Sequence, residues 1–138
     1  MKAHAAKALV TDAEGHVLVL RRSPTHPLWA LHLDLPGGTV ETNETAEEAM
    51  AREMFEEVGL QVPTSAFTFV DEIMTDGHRG LVYTATISEV KPTISISWEH
   101  DLFDWMHIDQ IMNHELPEGG DLLVEQAVKY LRRQHNSK

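Results

Sequence analysis

The stretch GGTVETNETAEEAMAREMFEEVGL, residues 37–60, carries seven glutamates around a single arginine, Arg52. Thr45 is followed three residues later by Glu48, the pattern of a capping box in which each side chain satisfies a free backbone N–H at a helix start. Helix formers run from Ala46 to Val58, and Gly59 stands where a left-handed residue closes a helix. At about 100° per residue, Glu53, Glu56 and Glu57 share one sector roughly 100° wide. Met50, Met54, Phe55 and Val58 occupy the neighbouring sector, which is expected to face the core. The carboxylates should therefore flank the apolar stripe, at the edge of a cleft.

That crowding is unfavourable by itself. Like charges one turn apart cost roughly a few tenths of a kcal/mol per pair, and these lie in the C-terminal half, against the macrodipole. Arg52 is one turn from Glu48 and from Glu56, but one cation does not neutralise three neighbours. Hard divalent cations do, because Mg²⁺ and Mn²⁺ take carboxylates, waters and phosphate oxygens as ligands. A solvated acidic face is the simpler use of such residues, so the surrounding pattern has to decide.

With 138 residues, the chain is expected to form one domain, 1–138, large enough to bury a core. Hydrophobic residues make up 42% and charged residues 24%, an ordinary globular balance. The absence of cysteine excludes disulfides, thiolate metal sites and cysteine nucleophiles. Lys2, His4 and Lys7 interrupt the first ten residues, so no signal-peptide run is read there, and no stretch approaches a membrane span. A soluble cytoplasmic protein without membrane partners is expected. A net charge of −11 argues against binding nucleic acid polymers through their backbones. It leaves room for a small anionic substrate whose charge is masked by metal ions or local arginines.

Outward from the helix, Ala3 to Thr11 and VLVLRR read as strands joined by the turn DAEGH. Residues 23–37 read as a loop holding Pro24, Pro27 and Pro36. FTFVDEIMT and GLVYTATIS read as strands across the turn DGHR, TISISW as a shorter alternating strand, and DLLVEQAVKYLRR as a terminal amphipathic helix. Strands before, between and after helices predict an α/β sandwich with a mixed sheet.

The same stretch resembles the box of the Nudix hydrolase family, MutT-like proteins included. Gly38, Glu44, Arg52-Glu53, Met54, Glu56-Glu57, Gly59 and Leu60 stand in the family's register over residues 38–60, with LPGG leading in. Met54 departs slightly, being unbranched, and Asn43 stands where relatives often have glycine.

The resemblance implies an α/β/α sandwich around a central mixed sheet. It also implies metal-dependent hydrolysis of the pyrophosphate bond in a nucleoside diphosphate linked to another moiety, with Mg²⁺ as cofactor and Mn²⁺ as its substitute. Carried over to this chain, it makes Glu56 and Glu57 the principal metal ligands, Glu53 a further ligand or the base, and Arg52 the residue that orients them. Glu44 pairs with Arg52 or reaches metal through water, and the Gly38 carbonyl is a ligand. Glu99 is the donor from a later segment, WEHDLFDW, with Asp101 in reserve; His100 is expected to hydrogen-bond locally.

On the substrate side, Arg22 is expected to meet a phosphate, and Trp29, in its proline-bounded loop, to line the pocket. Phe69, Tyr83 and Trp105 are expected in the core. The segment just before the last helix, LPEGGDLL, holds no asparagine such as some members of the resembled family use to hold a base, which leaves Glu118 or Asp121 to meet a base edge. The substrate class left open is a nucleoside triphosphate or a nucleotide sugar. A homodimer is one assembly that the resemblance allows. The rival reading is a Nudix-fold sensor that binds a nucleotide without cutting it; such proteins lose box glutamates, and this chain keeps them.

Overall fold

The computed structural model describes residues 3–136, so Lys2 lies outside the described residues. Among the described residues, seven strands and three α-helices follow in order: β1 (Ala5–Thr11), β2 (Val17–Arg22), β3 (Leu33–Asp34), β4 (Gly37–Thr39), α1 (Ala46–Val58), β5 (Thr68–Thr75), β6 (His78–Thr86), β7 (His100–Met106), α2 (Ile108–Met112) and α3 (Leu122–Asn136). The sheet order is β3-β2-β1-β6-β5, with β4 also paired to β1 and β7 to β2. β1 and β6 run parallel, from Ala5 opposite Gly80 to Thr11 opposite Thr86, while the other pairs are antiparallel. The sheet is therefore mixed.

Alternation along the strands splits the interior into two cores. Ala6, Ala8, Val10, Leu18 and Leu20 pack with Met50, Met54 and Val58 of α1. Leu9, Val17, Val19 and Val82 pack with Leu123, Val124, Ala127, Val128 and Leu131 of α3. Helices thus cover both faces, giving the α/β/α layering expected above. Among the described residues, no helix is long and apolar enough to cross a membrane.

The caps of α1 are as read from the sequence. Thr45 Oγ1 accepts from the Glu48 N–H, Glu48 accepts from the Thr45 N–H, and Gly59 is left-handed at φ 75°. Its inward face is not quite as read. Met50, Met54 and Val58 are fully buried, but Phe55 is exposed and Glu57 is buried. Measured round the helix, Glu57 falls about 20° from Met50, between it and buried Ala49, whereas Phe55 lies about 60° beyond Val58.

TISISW is not a strand. Residues 93–98 run irregularly along the C-terminal end of α1, where the Ser95 and Ser97 N–H groups donate to the carbonyls of Val58 and Glu57. Ile94 is buried and Ile96 half-buried, so the alternation is real, but helix carbonyls take the backbone donors. The strand begins later, at His100, and the 23–37 loop contains β3 and the start of β4. Tyr83 and Trp105 are buried as expected; Phe69 is half-exposed, because β5 is an edge strand, and it meets Tyr83 edge-on.

Candidate active site

β4 sets the geometry of the site. Gly37 has φ 137°, and a Cβ there would stand 2.1 Å from the Ala6 carbonyl oxygen, so only glycine lets β4 approach β1 this closely. The Gly37 N–H then points at α1 and donates to Glu57 Oε1 at 2.8 Å. Gly38 lies against Glu53, whose Oε1 would be 2.8 Å from a Cβ on that residue. Two glycines in the sheet thus seat two glutamates of the helix.

Arg52 gathers the remaining carboxylates. Its Nε and Nη2 grip both oxygens of Glu44 at 3.1 and 2.7 Å, a bidentate pair. Its Nη1 reaches Glu53 at 3.0 Å and Glu56 at 3.3 Å, and Nη2 also donates to the Thr39 carbonyl. Glu44 first, and then Glu53, push the Arg52 pKa further up. Of the two options for Glu44, the structure has the pairing with Arg52.

The glutamates are under-neutralised. Burial pushes the Glu57 pKa up to about 8, against the pull of Lys7 and the Gly37 N–H. Burial also raises Glu53, and Glu56 and Glu99 add to the rise in spite of Arg52. The oxygen-only donor set fits a hard divalent cation, which would supply the missing positive charge. Among the described residues, no three acidic or histidine side chains stand gathered round one point as a ready cage. Arg52 holds Glu53 and Glu56 where they are.

Glu99 and Asp101 are told apart by their partners. Asp101 is clamped by Arg21 through Nε and Nη2, so both its oxygens are already paired. Glu99 is half-exposed, 3.7 Å from His26, and near enough to Glu53 to raise its pKa.

Behind the glutamates lies a buried polar network that the sequence reading did not assemble. Lys7 Nζ donates to Asp34 Oδ1 at 2.6 Å, and His100 Nε2 stands 2.8 Å from Asp34 Oδ2. Burial would raise the Asp34 pKa, but Lys7, His100 and Arg22 together hold it below the usual carboxylate range. Arg22, expected to meet a phosphate, is instead buried and engaged within the protein: Nη2 donates to Asp121 at 3.1 Å, Nη1 to the Leu28 carbonyl, and the guanidinium lies 5.0 Å from the Trp29 ring centroid. Asp121 also caps α3 by accepting from the Leu123 N–H. Both its oxygens are engaged, which argues against a base edge there; Glu118 stays exposed.

Trp29 donates through Nε1 to the Gly119 carbonyl and forms one wall of a cleft of about 260 Å³, with Ile73, Thr75, His78, Asp121 and Leu122. A second cavity, about 350 Å³ and mostly apolar, lies along β2 and β7 at Val19, Leu33, Leu102, Phe103 and Met106, with no box glutamate in its wall.

Residues 1–127 match the family model of the NUDIX domain. The chain belongs to that family. A MutT-like protein of Streptomyces ambofaciens is 32% identical over 106 residues, which is 75% of this chain and 62% of that protein. A putative 8-oxo-dGTP diphosphatase of Bacillus subtilis (strain 168) is 39% identical over 66 residues, covering 48% of this chain and 41% of the relative. The chain thus spans less than two thirds of the length of either relative. The crystal structure of a MutT protein from Methanosarcina mazei Go1 shares the fold, with a TM-score of 0.70, 24% identity, and coverage of 99% of this chain and 98% of that one.

Gly38, Glu44, Arg52, Glu53, Glu56 and Glu57 of the Nudix box, with Gly37 just before it, come together round β4 and the C-terminal half of α1. Outside the Nudix box, the sequence reading missed Lys7 and Asp34 and gave His100 and Asp121 other partners than Asp34 and Arg22. One signal was available for two of them: a single ionisable residue inside an apolar run, as in AAKALV and LDL.

Proposed function

We propose that this Nudix chain is a divalent-metal-dependent hydrolase of the pyrophosphate bond in a nucleoside diphosphate linked to another moiety, of the nucleoside triphosphate or nucleotide sugar class. The observation that carries this reading is Glu57, a buried carboxylate given one backbone N–H and then left short of positive charge. A bound Mg²⁺ or Mn²⁺ would neutralise the diphosphate and lower the pKa of a water.

Glu56 and Glu57 would hold the ion, with the Gly38 carbonyl and Glu99 completing the oxygen set. Glu53, half-buried with a raised pKa, would join the ligands or take the proton from water. Arg52, fixed by Glu44, keeps the glutamates apart and aligned. Trp29 offers an aromatic wall to the nucleoside, and Arg22 supports that wall from behind. Positioning and charge stabilisation then account for most of the acceleration.

The test is a panel of nucleoside diphosphate derivatives incubated with Mg²⁺. A nucleoside monophosphate should be released, and Glu57→Gln should remove turnover while the circular dichroism spectrum stays native. Sustained turnover in that variant, or without any divalent ion, overturns the reading. Tight nucleotide binding without cleavage favours a sensor.

A further inference from the structure

Among the described residues, one nitrogen beneath the glutamates has no hydrogen-bond partner. His100 opens β7 and is almost wholly buried. Its Nε2 faces Asp34 Oδ2, while the other Asp34 oxygen accepts from Lys7 and from the Leu35 N–H. An ionised carboxylate can only accept, so Nε2 carries the proton on that side of the ring. The second ring nitrogen, Nδ1, is buried and lacks a hydrogen-bond partner. It lies 3.9 Å from Glu57 Oε2. The opposite oxygen of Glu57 is taken by the Gly37 N–H. Glu57 is therefore confined between a backbone donor and the edge of an imidazole, and the imidazole is fixed from behind.

We propose that His100 is a positioning residue: anchored by Asp34, its unprotonated Nδ1 edge repels the Glu57 carboxylate and closes off the imidazole side, confining it against the Gly37 N–H, so that the carboxylate is already set when a divalent cation binds. This rests on the metal-ligand role proposed for Glu57. The chain Lys7–Asp34–His100–Glu57 links β1, β3, β7 and α1, so the orientation of one glutamate is tied to the packing of four elements. A carboxylate with a frozen rotamer loses less freedom on binding an ion than one that swings.

A purely structural role for His100, as an anchor for Asp34, would use Nε2 alone. Positioning uses Nδ1. Substitution separates the two nitrogens. Glutamine still reaches Asp34 with an amide N–H but places nothing where Nδ1 stands. Asparagine places an amide atom near the Nδ1 position and stops short of Asp34.

The experiment is Mn²⁺ titration of the full chain without substrate, following free Mn²⁺ by electron paramagnetic resonance, beside thermal unfolding in a chelator. The parent chain is titrated first. His100→Gln is expected to weaken Mn²⁺ binding about 10- to 100-fold while unfolding near the parent temperature. His100→Asn is expected to bind within about threefold of the parent although it unfolds earlier. Parent-like binding by His100→Gln, or an equal loss in His100→Asn, overturns the positioning role and leaves the metal reading intact. A parent chain that binds no Mn²⁺ overturns both, and does so before any substitution is made.

Discussion

The Gly37 N–H donates to Glu57 Oε1 across 2.8 Å, joining a three-residue strand to the last full turn of α1. That bond brings a carboxylate into the interior before anything has neutralised it. The behaviour of the site with pH, ion and mutation follows from this arrangement.

Stability without metal should fall as pH rises. The Glu57 pKa is pushed up to about 8 in the folded chain and is about 4.3 in an unfolded one. Between those values the native state holds a proton that the unfolded state has released, so unfolding becomes easier with each unit of pH. The loss begins above the unfolded value and levels off beyond about pH 8. Added Mg²⁺ should flatten the slope, because the ion binds the native carboxylate. Chemical denaturation at several pH values, with chelator and with Mg²⁺, measures it; a slope unchanged by Mg²⁺ contradicts the account.

Gly37→Ala should unfold the chain far more readily than a comparable change elsewhere. The new Cβ would meet the Ala6 backbone, which cannot move without opening β1. A cost on the order of 3 kcal/mol is expected. Gly15→Ala, also at positive φ but with nothing within 4 Å, should cost about 1–2 kcal/mol. Thermal denaturation of the two variants side by side gives the comparison.

Arg52→Lys should keep the fold and lose rate. Lysine retains the charge but not the fork that spans both oxygens of Glu44 while reaching Glu53 and Glu56. A fall in kcat of about 10- to 100-fold is expected, with a melting temperature close to the parent. Steady-state kinetics on the best substrate of the panel decides it.

Lys7→Met should destabilise the chain by about 3 kcal/mol at neutral pH, because it leaves buried Asp34 without its nearest cation. The acid limb should change as well. Asp34 has a depressed pKa in the folded chain, so its contribution is present above the unfolded value near 4 and is lost as pH falls below it. Without Lys7 that depression shrinks, and the variant should lose less stability between neutral pH and pH 3 than the parent. Urea titrations at the two pH values test both parts.

The box was legible because its information is local. Thr45 with Glu48, and Arg52 with Glu56, are a helical turn apart, and spacing alone puts them in contact. The network behind the box joins Lys7 to Asp34 and Asp34 to His100 across separations of 27 and 66 residues, which no local pattern contains. Phe55 and Glu57 were placed on the wrong sides of the α1 surface because the inward direction of a helix depends on what packs against it. TISISW failed for a related reason: alternation reports which side chains are buried, not which partner takes the backbone donors.

The parallel pairing of β1 with β6 has a consequence for biosynthesis. Ala5 meets Thr39 of β4 on one side, but its β6 neighbour, Gly80, comes 75 residues later. At roughly 5–20 residues per second on the ribosome, the first strand waits several seconds for that partner to emerge. During that interval its apolar surface is exposed to other nascent chains and to chaperones. The β6-facing edge of β1 is therefore unpaired through much of synthesis.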